Sequence, residues 1–230
     1  MNSARDKSVV ESGLATRDRI LDTAERMFAA KGYKGVSLRS ITRASGVNLA
    51  AIHYHFGSKE RVLEEIFERR CGPMNKERIR LLRLCREGPG RPPLLAQLID
   101  AYLRPTLVWS EDDVGPRRFM RLRAALGFER EDMANKLIAG HFNKVSRLFI
   151  RRLREVGLRL SEVELYWRLH FLLGVQYYTM GNPGRIQKLS GGLCDPSDSA
   201  RSLRYIVPFL AAGFRAPPTD SVKTRSKAAA

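Results

Sequence analysis

The sequence predicts an all-α protein with two parts. The N-terminal part contains a helix-turn-helix, and the C-terminal part is a longer helical domain. Three observations predict this. Apolar residues recur at offsets of three and four along most of the 230 residues, the spacing that lines one helical face. Strand-like alternation is absent. Glycine and proline cluster between the periodic segments rather than within most of them, where they punctuate helices.

Residues 1–14 are polar and aperiodic and read as a flexible arm. From Thr16, a natural cap, Ile20, Leu21, Ala24, Met27 and Phe28 form one stripe. Gly32 after Lys31 gives a stop, since a left-handed C-terminal residue costs glycine little. Ser37 caps a short helix, Leu38 to Ala44, and a turn follows at Ser45-Gly46-Val47. A second short helix runs from Asn48 to His55, with Val47 and Ile52 as inward pins, and Phe56-Gly57 breaks it. Ser58 opens a fourth helix on Val62, Leu63, Ile66 and Phe67. Pro73 is expected to end or kink it, with helical pattern resuming to Cys85. Glu87 to Pro93 reads as a linker. Further helices follow over Leu94–Trp109, Arg117–Leu126, Glu131–Val156, Ser161–Met180 and Ser197–Phe214, the last with Pro208 as a kink; Gly191, Gly192 and Pro196 mark a loop. The domain boundaries so predicted are 15–70 for the DNA-binding part and 71–215 for the C-terminal part. A disordered basic tail is expected over 216–230.

Composition narrows the function classes. Net charge is +17, from 41 basic and 24 acidic residues, and such a field draws polyanions. The excess is spread along the chain: the first 70 residues hold 13 basic and 9 acidic side chains. Charge therefore does not by itself locate a DNA-binding face. Three scattered cysteines, Cys71, Cys85 and Cys194, make neither a metal-type pair nor a disulfide framework. No metal or cofactor is expected. No run of about 18 uncharged apolar residues predicts a membrane span, and the N-terminus has no signal-like apolar run. A cytoplasmic protein is the expectation. No nucleophile–base grouping or phosphate-loop pattern suggests an enzyme.

The informative stretch is Ser37 to Glu60. Two short helices joined by a glycine turn make the unit whose second helix fits the DNA major groove. Between Ser37 and Lys59 stand Arg39, Arg43 and Lys59 and no acidic residue, as a phosphate-facing surface requires. Ser37, Ser40, Asn48 and Ser58 sit at helix starts, where backbone and side chain both reach phosphates. Ala50 and Ala51 allow close backbone approach, and His53, Tyr54 and His55 supply donors and rings. The i, i+2 spacing of the two histidines points them apart and disfavours zinc.

These residues carry a resemblance. The pattern R-x-x-I-L-x-x-A-x-x-x-F-x-x-x-G-Y from Arg17, then Gly46-Val47, His53-Tyr54-His55-Phe56 and Ser58-Lys59-Glu60, resembles the N-terminal domain of the TetR family of repressors. The resemblance implies that Ala51, His53, Tyr54 and His55 face DNA and that Lys59 clamps a phosphate. The family more often has tyrosine where His53 stands. NLAAIHYHFGSK, with ELYWRLHFLLG at Glu164–Gly174 and VPFLAAGFRA at Val207–Ala216, is similar to the branch that includes fatty-acid-responsive repressors. It implies a palindromic double-stranded operator, a homodimer and release by a small apolar or acyl-type effector, a fatty acid or acyl-CoA.

The candidate effector lining is Tyr102, Leu103, Leu107, Phe119, Leu122, Trp167, His170, Phe171 and Tyr178. The candidate dimer face carries Leu169, Leu172, Leu173, Gly174, Ile206, Val207, Phe209, Ala211, Ala212 and Gly213, where small residues among large ones let helices approach. The competing reading is a basic all-α protein that binds anionic lipid or a membrane surface. It rests on the arginine-rich run Arg147–Arg154, interleaved with Leu148, Phe149, Ile150 and Leu153.

Overall fold

The computed structural model describes residues 2–91, 93–108, 114–181 and 183–219. Among them the regular structure is entirely helical: α1 (Asn2–Lys31), α2 (Leu38–Ser45), α3 (Leu49–His55), α4 (Lys59–Leu84), α5 (Leu94–Leu107), α6 (Val114–Glu129), α7 (Glu131–Arg154), α8 (Glu162–Gly181), α9 (Pro183–Leu189) and α10 (Ser199–Arg215). Trp109 and the tail from Asp220 lie outside the described residues.

The helices form two compact units. The first comprises the chain up to Gly72 together with Gly115–His141, and the second comprises Pro73–Val114 and the chain from Phe142 onward. This departs from a boundary near residue 70 followed by one continuous domain. The segment 115–141 belongs to the N-terminal unit because its apolar side chains join that core. Phe67 meets Phe119 edge-on at 4.9 Å between ring centres, and Leu122, Leu126 and Ala134 are buried in the same unit as Ile20, Leu21, Phe28, Ile41 and Ile66. Glu25 is fully buried and held by Arg69 at 2.8 Å and Arg70 at 2.9 Å. A buried carboxylate needs such pairing to offset its lost hydration.

The second unit packs α5, α7, α8 and α10 around Leu98, Tyr102, Phe149, Leu172, Leu203 and Phe214. The Tyr102 and Phe149 rings lie 4.6 Å apart, and Phe149 meets Phe214 edge-on at 6.2 Å. Arg168 closes this unit. Its guanidinium donates to the carbonyls of Gly213, Phe214 and Ala216 at 2.9, 2.7 and 2.9 Å, at the end of α10, where helix carbonyls run short of backbone donors. Glu164 in turn pairs with Arg168 at 3.1 Å and accepts from the Thr219 backbone at 2.8 Å.

Several sequence expectations need correction. Residues 2–14, read as a flexible arm, continue α1 to Asn2, because no proline interrupts them and a helix propagates once nucleated. Thr16 thus sits inside the helix instead of capping it. The chain after Ala216, read as a disordered tail, is pinned over residues 216–219 by Arg168 and Glu164. Helix α9 is unforeseen; it starts at Pro183, and proline is well suited to a first helical position, where its missing N–H has no partner to lose. Helices α4 and α10 continue through Pro73 and Pro208.

Candidate nucleic-acid interface

Helix α2 starts from a reciprocal cap. Ser37 Oγ accepts from the Ser40 backbone at 3.1 Å, and Ser40 Oγ accepts from the Ser37 backbone at 3.0 Å. Gly46 ends it at φ 67°, ψ 31°, the left-handed region that an L side chain enters only with strain. That turn redirects the chain into α3, whose start is fixed by Asn48 Oδ1 accepting from the Ala51 backbone at 2.7 Å. Ile52 is fully buried and Phe56 nearly so, anchoring α3 to the core. Val47, expected as a second pin, is only half-buried.

Once Ile52 points inward, the opposite face of α3 faces solvent. Tyr54 is 86% exposed, its ring edge-on to His55 at 5.2 Å. Ala50 and His53 are exposed, and Ala51 and His55 are half-buried. His53 Nδ1 lies 3.0 Å from the Gly57 carbonyl, which can only accept, so Nδ1 carries the proton. The neutral ring therefore presents Nε2 outward as an acceptor, and only the charged ring presents a donor there. Arg39 and Arg43 are exposed, and their guanidinium groups make no hydrogen bond or ion pair among the described residues.

Lys59 is placed differently from the other cations. Its ammonium lies 4.0 Å from the Tyr33 ring centre and 5.9 Å from that of Phe28, a cation–π arrangement. Burial, and the positive charge of Arg130, push its pKa down against the pull of Glu60 and Glu129. Tyr33 donates to Glu60 at 2.8 Å. Burial, with Glu60 beside it, pushes the Tyr33 phenol far above its ordinary value, while that hydrogen bond holds the Glu60 carboxyl low. The same corner contains a contact that sequence reading missed: Glu129, the last residue of α6, accepts from the Lys34 backbone at 2.7 Å. The two residues are far apart in the chain, so no local pattern could reveal the bond.

The nine candidate effector-lining residues are divided between the two units. Tyr102, Leu103 and Leu107 are buried in the second unit, and Phe119 and Leu122 in the first. Beside Tyr102 the space is taken by Arg78. This buried guanidinium stacks 4.7 Å from the ring centre and donates to the Tyr102 carbonyl at 2.7 Å, with Asn75 and Gln176 at 3.3 and 3.4 Å. Trp167, His170, Phe171 and Tyr178 line the exposed face of α8. The helical period places them opposite Leu165, Arg168, Leu169, Leu172 and Gln176, which are buried. The residues named for the dimer face divide in the same way. Leu169, Leu172 and Ala211 serve the unit's own core, and Leu173, Ile206 and Val207 are half-buried. The exposed apolar surface is carried by Tyr166, Trp167 and Phe171 on α8 and by Tyr205 and Phe209 on α10, with Gly174, Ala212 and Gly213 also exposed.

Two family models match the chain. Residues 20–66 match the model for bacterial regulatory proteins of the tetR family, and residues 100–213 match the tetracyclin repressor-like C-terminal domain. The chain belongs to the TetR family. Among curated relatives, the transcriptional regulator AcrR of Shigella flexneri is 43% identical over 53 residues, 23% of this chain and 25% of AcrR. The negative transcriptional regulator IcaR of the Staphylococcus aureus biofilm operon icaADBC is 37% identical over 49 residues, 21% of this chain and 26% of IcaR. These matches thus span about a quarter of each relative's length. Over the whole fold, the chain is similar to the fatty acid degradation regulator FadR from Bacillus halodurans, with a TM-score of 0.64 at 16% identity over 88% of this chain and 97% of the other.

Proposed function

We propose that this TetR-family chain is a homodimeric transcriptional repressor that binds a palindromic double-stranded operator through α2 and α3. The observation that carries the reading is the surface of α3: a capped seven-residue helix presents Tyr54 and His53 to solvent, and α2, before it in the chain, exposes Arg39 and Arg43. Direct base contacts come from residues 48–55, and phosphate contacts from Ser37, Arg39, Arg43 and the helix starts. The dimer is supported by the exposed aromatic face of α8 and α10, a kind of surface that monomeric proteins rarely leave open. Two half-sites roughly 34 Å apart then read one palindrome. Release by a small apolar or acyl-type effector rests on family membership and on the likeness to FadR, named for fatty acid degradation.

The test is selection of genomic DNA fragments by the purified protein and by Tyr54→Ala. Enrichment of one palindrome by the wild type, weakened in the variant, supports the reading, and no enriched sequence overturns it. Repeating the selection with long-chain acyl compounds examines the effector class. The lipid-surface alternative loses its main support: Phe149, Ile150 and Leu153, the apolar partners of the α7 arginines, are buried in the second unit. No helix among the described residues is long and apolar enough to cross a membrane.

A further inference from the structure

In the second unit, the end of α4, the outer face of α5 and one side of α10 leave an open groove of about 540 Å³. That volume lies within the range of small-molecule sites, about 300–1,000 Å³. Leu81, Ala101, Leu203, Val207 and Pro208 give it an apolar floor. Its polar rim is unequal in charge. Asp100 holds Arg104 through two hydrogen bonds of 2.7 Å, so that pair is neutral as a unit. Arg91 and Arg204 also line the groove. Both are exposed, and neither guanidinium makes a hydrogen bond or ion pair among the described residues. Pro208 adds a third polar feature, because it lacks the N–H that would otherwise occupy the carbonyl of Arg204 within α10.

An apolar floor beside two unengaged guanidinium groups matches one kind of occupant. We propose that this groove is the effector site and takes an amphiphilic carboxylate, its apolar body on Leu81 and Val207 and its head on Arg91 and Arg204. Two guanidinium groups suit a carboxylate because each presents a planar fork of donors that fits its two oxygens. As an effector site the groove rests on the regulator reading; as a binding site it does not. It shares none of the nine lining residues expected from sequence. On α10 it uses Leu203, Arg204, Val207 and Pro208, while Tyr205 and Phe209 lie on the adjoining exposed strip, so a bound molecule would sit beside the exposed aromatic face.

The experiment uses the full chain and two probes with the same tail and opposite heads, decanoate and decyltrimethylammonium, titrated by calorimetry at low salt. Decanoate should bind saturably, one per chain, and the ammonium should not. The Arg91→Glu/Arg204→Glu variant, changed only at exposed positions, should lose about tenfold or more in decanoate affinity, the equivalent of at least 1.4 kcal/mol, while keeping the wild-type melting temperature. Val207→Trp, which fills the floor and leaves both arginines, should lose decanoate binding as well. Equal binding of the two probes, or decanoate binding unchanged in both variants, overturns the proposal. Operator gel shifts on the same samples keep the two readings apart. Decanoate binding that fails to shift operator affinity leaves a binding site and removes its effector role, and operator binding without any decanoate binding removes the site and leaves the regulator.

Discussion

The Glu129 carboxylate accepts a hydrogen bond from the Lys34 backbone at 2.7 Å and thereby fastens the end of α6 to the turn between α1 and α2. Gly32 makes the approach feasible. It lies at φ 71°, and a Cβ there would meet Glu129 Oε1 at 1.7 Å. Glu129→Ala should cost about 0.5–1 kcal/mol, as for a partly exposed hydrogen bond, and speed amide exchange at Lys34. Gly32→Ala should cost more, through both backbone strain and the clash. Because the clash disappears with the carboxylate, the double variant should be less destabilised than the sum of the singles. Strict additivity in denaturant unfolding would show that the two residues do not meet.

Asn48 offers a way to separate stability from recognition. Its side chain caps α3 on the Ala51 backbone, so Asn48→Ala should lower stability by about 1 kcal/mol. Asn48→Asp keeps the cap and adds a negative charge. The melting temperature should then be preserved while operator affinity falls. Wild-type operator affinity in Asn48→Asp would place residue 48 away from the DNA.

Lys59 poses a choice between two roles that its position on the Tyr33 ring makes measurable. A phosphate contact contributes about 0.9 to the slope of log affinity against log salt. Lys59→Met retains the apolar stem and removes the charge. If Lys59 leaves the ring to clamp a phosphate, the slope drops by nearly one unit. A slope unchanged beside a lowered melting temperature would assign Lys59 to packing alone.

The Tyr33–Glu60 hydrogen bond makes acid stability testable. Because Tyr33 holds the Glu60 carboxyl below its ordinary value, the folded state binds that proton less readily than the unfolded chain. The resulting stabilisation is complete above the unfolded value, about 4.3, and is lost as pH falls through the lower folded value. Tyr33→Phe should flatten the dependence of unfolding free energy on pH in that window. An unchanged dependence would show that the hydroxyl does not set the Glu60 proton affinity.

The exposed aromatic strips of α8 and α10 predict the oligomeric state. Phe171→Glu combined with Phe209→Glu places charge on both strips without touching a buried residue. Sedimentation should find a dimer for the wild type and a monomer for the variant, with helix content unchanged and operator affinity reduced. A wild-type monomer, or a variant that still dimerises, would move the interface elsewhere.

The sequence by itself determined the helical class and the local form of the helix-turn-helix. Ser37, Gly46 and Asn48 act on neighbours within four residues, so their caps and turn are readable without knowing the rest of the fold. Ile52 points inward because the period of a short amphipathic helix allows one buried face, and Tyr54 is then exposed by the same geometry. What only the tertiary structure decided were relations between distant segments. Glu129 on Lys34, Arg168 on the end of α10, and Arg78 beside Tyr102 each join residues many positions apart and leave no periodic trace. The aromatic face of α8 misled for a physical reason. A large apolar side chain implies burial, but whether its own core or a partner supplies the cover depends on which helix face the remaining elements occupy. In α8 that inner face belongs to Leu169, Leu172 and the buried Arg168 and Gln176, and the aromatics are left outside.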